Sequence, residues 1–189
     1  MPERSEIEIE SDEQLMLLIQ NHDKYAFSVL VERHSQKFYN LAYRSLFNKA
    51  DAEDVVQEAF LKVWRKPELW RPQKQTKFTT WFYRVVLNTC LDMNKKKVIT
   101  SNSLEQEVEE PSEIDPSDEN SQLADLEVAL RNLPERQRTA LNLCFYEELS
   151  NQEAADIMGI RLKALQSLVM RAKANLKKIL FIVEGGEHE

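Results

Sequence analysis

Between Ser150 and Lys178 the chain reads SNQEAADIMGIRLKALQSLVMRAKANLKK, and from Arg161 onward this stretch holds six Lys or Arg and no acid. A helix of that composition is suited to a phosphate-lined groove, because each cation that meets a phosphate releases a condensed counterion. A second stretch with its own chemistry runs from Lys66 to Lys97, where eight basic residues face two acidic ones and Trp70, Phe78, Trp81, Phe82 and Tyr83 are interleaved. Aromatic faces stack on splayed bases while cations track the backbone, which suits single-stranded nucleic acid. Some of these aromatics are also core by spacing: Phe78, Phe82, Val85, Val86 and Leu91 fall on an inward-facing set.

Catalytic chemistry is not legible. There is no nucleophile beside an orienting base, no carboxylate pair with an evident cleft and no cofactor fingerprint. His22 and His34 have no partners at metal-ligand spacing, so surface or packing roles are expected for both. Cys90 and Cys144 lie in amphipathic helical contexts without a CxxC, which reads as two reduced, buried thiols. The expectation is a protein with no catalytic residue, no metal and no cofactor.

The elements that must position the two basic stretches follow from periodicity and caps. Only three Gly and six Pro, with little regular alternation, argue for helices throughout. Ser150 and Glu153 form a capping box, Gly159 offers the left-handed exit from the helix, and Ile160 tucks under the turn. Small Ala155 four residues before Gly159 and aliphatic Leu165 six after it complete a helix-turn-helix, with Ala154, Met158, Ile160 and Leu168 as further apolar positions. An ordinary helical hairpin with a solvated basic face is the plainer alternative. Upstream, Ser11 or Asp12 caps a helix bearing Leu15, Leu18 and Ile19. Residues 24–47 form a longer helix around Phe27, Leu30, Val31, Phe38, Leu41, Ala42 and Leu46. DAEDVVQEAFLKVW at 51–64 starts at an Asp51 cap and carries Val55, Val56, Ala59, Phe60, Val63 and Trp64 as one apolar stripe. Its other face carries Asp54, Gln57, Glu58, Leu61 and Arg65, which is either a docking surface or a solvated charged face. A helix resumes at 122–132, breaks at Leu133, and restarts with Pro134 at its first position through ERQRTALNLCFYEEL.

Charge divides unevenly along the chain. Residues 1–100 carry 16 Lys+Arg against 14 Asp+Glu, residues 101–130 none against 10, and residues 131–189 nine against eight. A net charge of −7 therefore does not exclude nucleic acid, because the acidity is concentrated between two near-neutral lobes. Residues 101–121, with Pro111, Pro116, many Ser and acids and no aromatics, read as a flexible acidic linker. The organisation expected is a disordered arm at 1–10, a helical domain at 11–100, the linker, a helix-turn-helix domain at 122–183 and a tail at 184–189. The N-terminus is acidic and unlike a signal peptide, and no apolar run approaches the roughly 20 residues that span a bilayer. A cytoplasmic protein without membrane insertion is expected.

DAEDVVQEAFLKVW, then FTTWFYRVVLNTCLD, then LPERQRTALNLCFYEELSNQEAADIMGI stand in one order around the acidic linker. In this the chain resembles the extracytoplasmic-function (ECF) group of bacterial sigma factors, over roughly residues 11–100 and 122–180. The resemblance implies an all-α protein of two small helical domains that binds core RNA polymerase, recognises promoter DNA and opens it, without being an enzyme, and that is held by an anti-sigma factor. It places core polymerase on Asp54, Gln57, Glu58 and Leu61. It places the minus-ten element on Lys74, Lys77, Trp81, Arg84, Asn88 and Lys95, with the loop at Lys74 to Lys77 and Asn88 capturing a flipped base. It places the minus-thirty-five element on Arg161, Lys163, Gln166, Ser167, Arg171 and Lys173. The acidic linker would thread through the polymerase near the RNA path. In the recognition helix the chain departs from the family pattern, with Arg161 where many members have a Ser or Thr cap, and with Gln166 and Leu168 further on. Gln166 can read adenine bidentately, which leaves Arg161, Lys163 and Arg171 for phosphates or guanine. The resemblance leaves two rivals: a sigma-like decoy for an anti-sigma protein, which usually carries a receiver domain, and a regulator using only the helix-turn-helix.

Overall fold

Ser11 opens the first helix as the sequence suggests: its Oγ accepts from the Gln14 N–H while Gln14 Oε1 accepts from the Ser11 N–H, a complete capping box. In the computed structural model, which describes residues 10–71, 76–101 and 118–185, this helix, α1, spans Asp12–Gln20. Asp23 caps α2, Lys24–Leu46, with one carboxylate oxygen accepting from both Tyr25 and Ala26 N–H groups. α3, Lys49–Arg65, corrects the expected start at Asp51. Asn48 is the cap, its Oδ1 accepting from the Asp51 N–H at 2.9 Å, and Asp51 sits inside the first turn, where its carboxylate pairs with Lys97. Asn and Asp cap about equally well, so the helix starts at the earlier of the two. A 3-10 turn, Pro67–Leu69, leads to Trp70, and α4 spans Phe78–Ser101.

In the second unit α5 spans Asp118–Arg131 and α6 Glu135–Leu141. Pro134 precedes α6 rather than opening it. Its ψ of 135° is extended, and its carbonyl accepts the first helical bonds from Gln137 and Arg138. The helix expected through Leu149 changes to π geometry over Asn142–Tyr146 and stops there, with the Glu147 N–H reaching back to the Asn142 carbonyl. α7 spans Asn151–Met158 and α8 Leu162–Gly185, so α8 passes the expected domain end at 183. Helices also enter the expected linker from both sides, through Ser101 and from Asp118. Residues 102–117, 1–9 and 186–189, most of the expected linker, arm and tail, lie outside the described residues.

The chain divides into two units with the break between Lys97 and Val98. In the first, Leu15, Met16 and Ile19 from α1 meet Leu30, Phe38 and Leu41 from α2, Val55, Phe60 and Val63 from α3, and Phe78, Phe82, Tyr83 and Val86 from α4, all buried. Phe38 is the hub, its ring 4.6 Å from Phe82 and 4.9 Å from Tyr83 in edge-on contacts. Such pairs add about 0.5–1.5 kcal/mol each beyond the area they bury. His34 is buried beside Phe38 and Phe78, with Nε2 2.8 Å from Asp12 Oδ2. In the second unit Leu130, Leu133, Ala140, Leu141, Leu143, Ala154, Ala155, Ile157, Leu165 and Ala172 make the core. Cys90 is buried, whereas Cys144 is only partly so.

Candidate nucleic-acid interfaces

The turn between α7 and α8 is built as its sequence implies. Ser150 and Glu153 close a reciprocal capping box at the head of α7. At its end the Ile160 N–H bonds the Ala155 carbonyl and the Gly159 N–H bonds that of Asp156, a Schellman pair closed by Gly159 at φ +64°. No atom lies within 4 Å of where a Cβ on Gly159 would be, so glycine is needed there for its backbone conformation and not for room.

The turn sends α8 outward with one buried and one solvated side. Leu165 and Ala172 point into the core, while Lys163, Gln166, Ser167, Met170 and Arg171 are exposed at spacings of three and four, hence on one face. Arg161 precedes the helix, is exposed, and gives its carbonyl to the first turn. The Ser167 hydroxyl donates to the Lys163 carbonyl, and Arg171 Nε donates to the Ser167 carbonyl. Lys173 lies at the margin of this face: its Nζ sits 4.5 Å from the centroid of the Phe145 ring, a cation–π contact within its own unit. Met170 is the addition that sequence reading missed. At 68% exposure it is an apolar residue on the outer face, and the signal was available in its position two residues before buried Ala172.

On α4 the residues Trp81, Arg84, Asn88 and Lys95 fall at steps of three, four and seven, so they form one line along the helix. Arg84, Asn88 and Lys95 are exposed and Trp81 is half-buried. Lys77, just before the helix, is exposed, and Lys74 lies outside the described residues. Beside the start of the line is a groove of about 380 Å³ lined by Leu69, Trp70, Arg71, Thr76, Trp81 and Arg84. Of the aromatics interleaved with the basic residues, Phe78 and Phe82 are core as their spacing implies, and Trp70 and Tyr83 prove to be core as well. Trp70, Phe78, Phe82 and Tyr83 are all 2% exposed or less: Phe82 and Tyr83 pack against Phe38, Phe82 also against Phe60, Phe78 stacks on Phe82, and Trp70, in the turn before α4, donates its indole N–H to the Thr76 carbonyl. Trp81 alone among these five keeps a solvated edge. Arg71, exposed at the groove, was not singled out from sequence although it directly follows Trp70.

The exposed face of α3 is a third surface. Asp54, Gln57, Glu58 and Leu61 are all exposed and together line a groove of about 450 Å³ with Lys62, Thr89, Asp92, Met93 and Lys96. The α4 side of that groove was not anticipated, since it requires knowing which helix packs beside α3. Lys62 joins the two, its ammonium donating to Thr89 Oγ1 at 3.1 Å while the Thr89 hydroxyl donates to the Val85 carbonyl. Among the described residues no group of three or more His, Cys, Asp or Glu is placed to hold a metal ion, and no helix is long and apolar enough to cross a membrane.

The family description Sigma-70 region 2 matches residues 30–98, and Sigma-70, region 4 matches residues 123–176. These ranges hold the α3 and α4 surfaces and the helix-turn-helix respectively. Among curated proteins, the chain is 34% identical over 157 residues to the ECF RNA polymerase sigma factor SigE of Mycolicibacterium smegmatis, covering 80% of this chain but only 60% of that relative's length. It is 30% identical to the RNA polymerase sigma-H factor of Pseudomonas aeruginosa, covering 90% of this chain and 94% of the relative. It is also 30% identical to the ECF RNA polymerase sigma-E factor of Haemophilus influenzae, at 86% and 92% coverage. The fold matches that of CnrH, solved with the cytosolic domain of CnrY, at a TM-score of 0.69 and 24% identity over 90% of this chain and 97% of that one. It likewise matches the Bartonella quintana sigma factor RpoE, solved with the anti-sigma factor NepR, at a TM-score of 0.64 and 24% identity over 82% and 97%.

Proposed function

The chain belongs to the ECF group of sigma-70 family RNA polymerase sigma factors, and from that premise we propose that it is an alternative sigma factor that directs core polymerase to particular promoters and starts transcription there. The observation that carries this reading is the line Trp81, Arg84, Asn88 and Lys95 beside a groove, in the same chain as a helix-turn-helix whose outer face is Lys163, Gln166, Ser167, Met170 and Arg171. One surface is suited to unpaired bases and the other to a duplex major groove.

The division of labour follows from magnitudes. Flipping a base out of the stack costs a few kcal/mol, and one aromatic platform returns roughly 1–3 kcal/mol per base. With Trp81 as the one partly exposed aromatic of that cluster, the chain traps about one base and the polymerase supplies the remaining melting energy. Asn88, with both a donor and an acceptor, reads the edge of the captured base, and Lys77, Arg84 and Lys95 track the strand, with Lys74 adjoining them in sequence. On α8, Gln166 reads adenine, Met170 offers an apolar contact to a thymine methyl, and Arg161, Lys163 and Arg171 hold phosphates or guanine. Lys173, engaged with Phe145, serves at most as a peripheral phosphate contact. Asp54, Gln57, Glu58 and Leu61 dock the polymerase, in the groove shared with α4. The chain itself is not an enzyme, since bond formation belongs to the polymerase, and it works in the cytoplasm where that polymerase is. An anti-sigma factor covers the polymerase-binding faces and holds the protein inactive.

Run-off transcription tests this reading, with core polymerase from the native host, with and without the chain, on a genomic fragment library. Transcripts starting at discrete promoters only when the chain is present are expected. Failure both to transcribe and to bind core polymerase would turn the reading toward a decoy or a regulator working through the helix-turn-helix alone.

A further inference from the structure

Helix α4 has a weak start of its own. The Trp81 N–H bonds the Lys77 carbonyl, so Lys77 occupies the cap position, yet a lysine side chain has no acceptor to offer the first-turn N–H groups. Its cation also stands at the positive end of the helix dipole. Both deficits are met from 65 residues away: the Phe78 N–H donates to Glu13 Oε1 of α1 at 3.0 Å. Two helical turns further along α1, on the same face, Gln20 Nε2 donates to the carbonyls of Pro67 and Trp70, each at 3.2 Å. Buried Trp70 in turn donates its indole N–H to the Thr76 carbonyl at 3.2 Å. One face of α1 thus holds the chain where it leaves α3 and again where it enters α4, the two sides of the groove lined by Leu69, Trp70, Arg71, Thr76, Trp81 and Arg84.

We propose that Glu13 and Gln20 are positioning residues for promoter opening: α1 is a two-point brace that holds the base-trapping groove in its binding geometry before DNA arrives. This rests on the reading of that groove as a minus-ten site. A brace of this kind raises affinity by removing the ordering cost that binding would otherwise carry, so its loss acts on DNA opening and leaves the α3 surface intact.

The test uses the full chain with core polymerase on a promoter recovered in the run-off assay, reading unpaired thymines by permanganate, core binding by affinity and folding by thermal unfolding. Glu13→Ala is expected to lower promoter opening by roughly 3- to 10-fold, within the range that loss of one N-cap corresponds to, with core binding unchanged. Glu13→Gln keeps an acceptor oxygen and is expected to recover most of the opening. Glu13→Lys, with donors only, is expected to be at least as defective as Glu13→Ala, and Gln20→Ala to show the same split between opening and core binding. Opening by Glu13→Ala at the level of the unaltered chain overturns the brace. So does a loss of opening matched by equal losses of core binding and unfolding temperature, which marks general destabilisation. If the unaltered chain opens no promoter with core polymerase, the sigma-factor reading falls first and the brace with it.

Discussion

Asn88 and Asp12 show two ways in which one side chain matters in this protein. Asn88 is exposed on α4, so it contributes little to folding, and substitutions at such positions usually stay within about 0.5 kcal/mol of neutral. Asn88→Ala is expected to leave the unfolding temperature and core binding unchanged while weakening open-complex formation by roughly 1–3 kcal/mol, the range of a good side-chain contact to a base edge. Equal promoter opening by the variant would remove Asn88 from the base-trapping set. Asp12 acts through the fold. One of its oxygens meets Arg33 Nη1 at 2.7 Å and the other His34 Nε2 at 2.8 Å, tying α1 to α2. Burial pushes its carboxyl up, but hydrogen bonds and charge from His34 and Arg33 outweigh that and hold it below the ordinary value of 3.8. A depressed carboxyl stabilises the fold at pH values above its unfolded pKa, and that contribution disappears as pH falls through the lower folded value. Asp12→Asn is therefore expected to cost roughly 1–2 kcal/mol near neutral pH, allowing for partial solvent screening. The gap from the unaltered chain should close below about pH 4, which urea unfolding across pH would follow. A gap independent of pH would mean that the carboxylate charge is not what ties the helices.

At the level of the element, α8 depends on its own turn and on the charge it presents. Neutralising Arg161 and Lys163 as glutamines is expected to reduce the dependence of log affinity on log salt by about 0.9 for each phosphate that no longer meets a cation, measured on a duplex carrying the minus-thirty-five element. An unchanged slope would place both side chains away from the phosphates. This turn was legible because its determinants are local: a capping box three residues wide and a glycine at the position of left-handed backbone. The start of α3 was less so, since Asn48 and Asp51 are both competent caps three residues apart and sequence does not rank them. Phe78 and Phe82 were legible as core from their spacing, but the burial of Trp70 and Tyr83 was not, because composition does not say which partners cover a ring. Tyr83 is buried against Phe38, 45 residues earlier in the chain. His34 gave no sign of its bond to Asp12, and the roles of Glu13 and Gln20 were invisible for the same reason: their partners, Phe78, Pro67 and Trp70, lie 47 to 65 residues further along the chain.

Across the whole molecule, charge is partitioned so that two surfaces suited to DNA coexist with a formal net charge of −7. The stretch from Glu105 to Glu119 holds eight of the ten acids found between residues 101 and 130, where there is no Lys or Arg. Non-specific attraction to DNA depends on the summed field of a protein, whereas sequence-specific contact depends on a few placed groups. The acidic run is thus expected to suppress binding of the protein to arbitrary duplex while leaving base reading on α4 and α8 alone. Replacing those eight acids with glutamine or asparagine at constant length removes eight negative charges and takes the chain from −7 to +1. The altered protein is expected to bind a duplex without promoter elements more tightly, approaching the 10⁻⁶ M end of ordinary non-specific affinity at physiological salt, with a steep salt dependence. Its preference for promoter over non-promoter DNA should shrink accordingly, because the useful quantity in a genome is that ratio and not the affinity for one site. Filter binding to the two duplexes across a salt series measures both. Unchanged non-specific binding at low salt, where screening is least, would show that the acids do not govern attraction to arbitrary duplex.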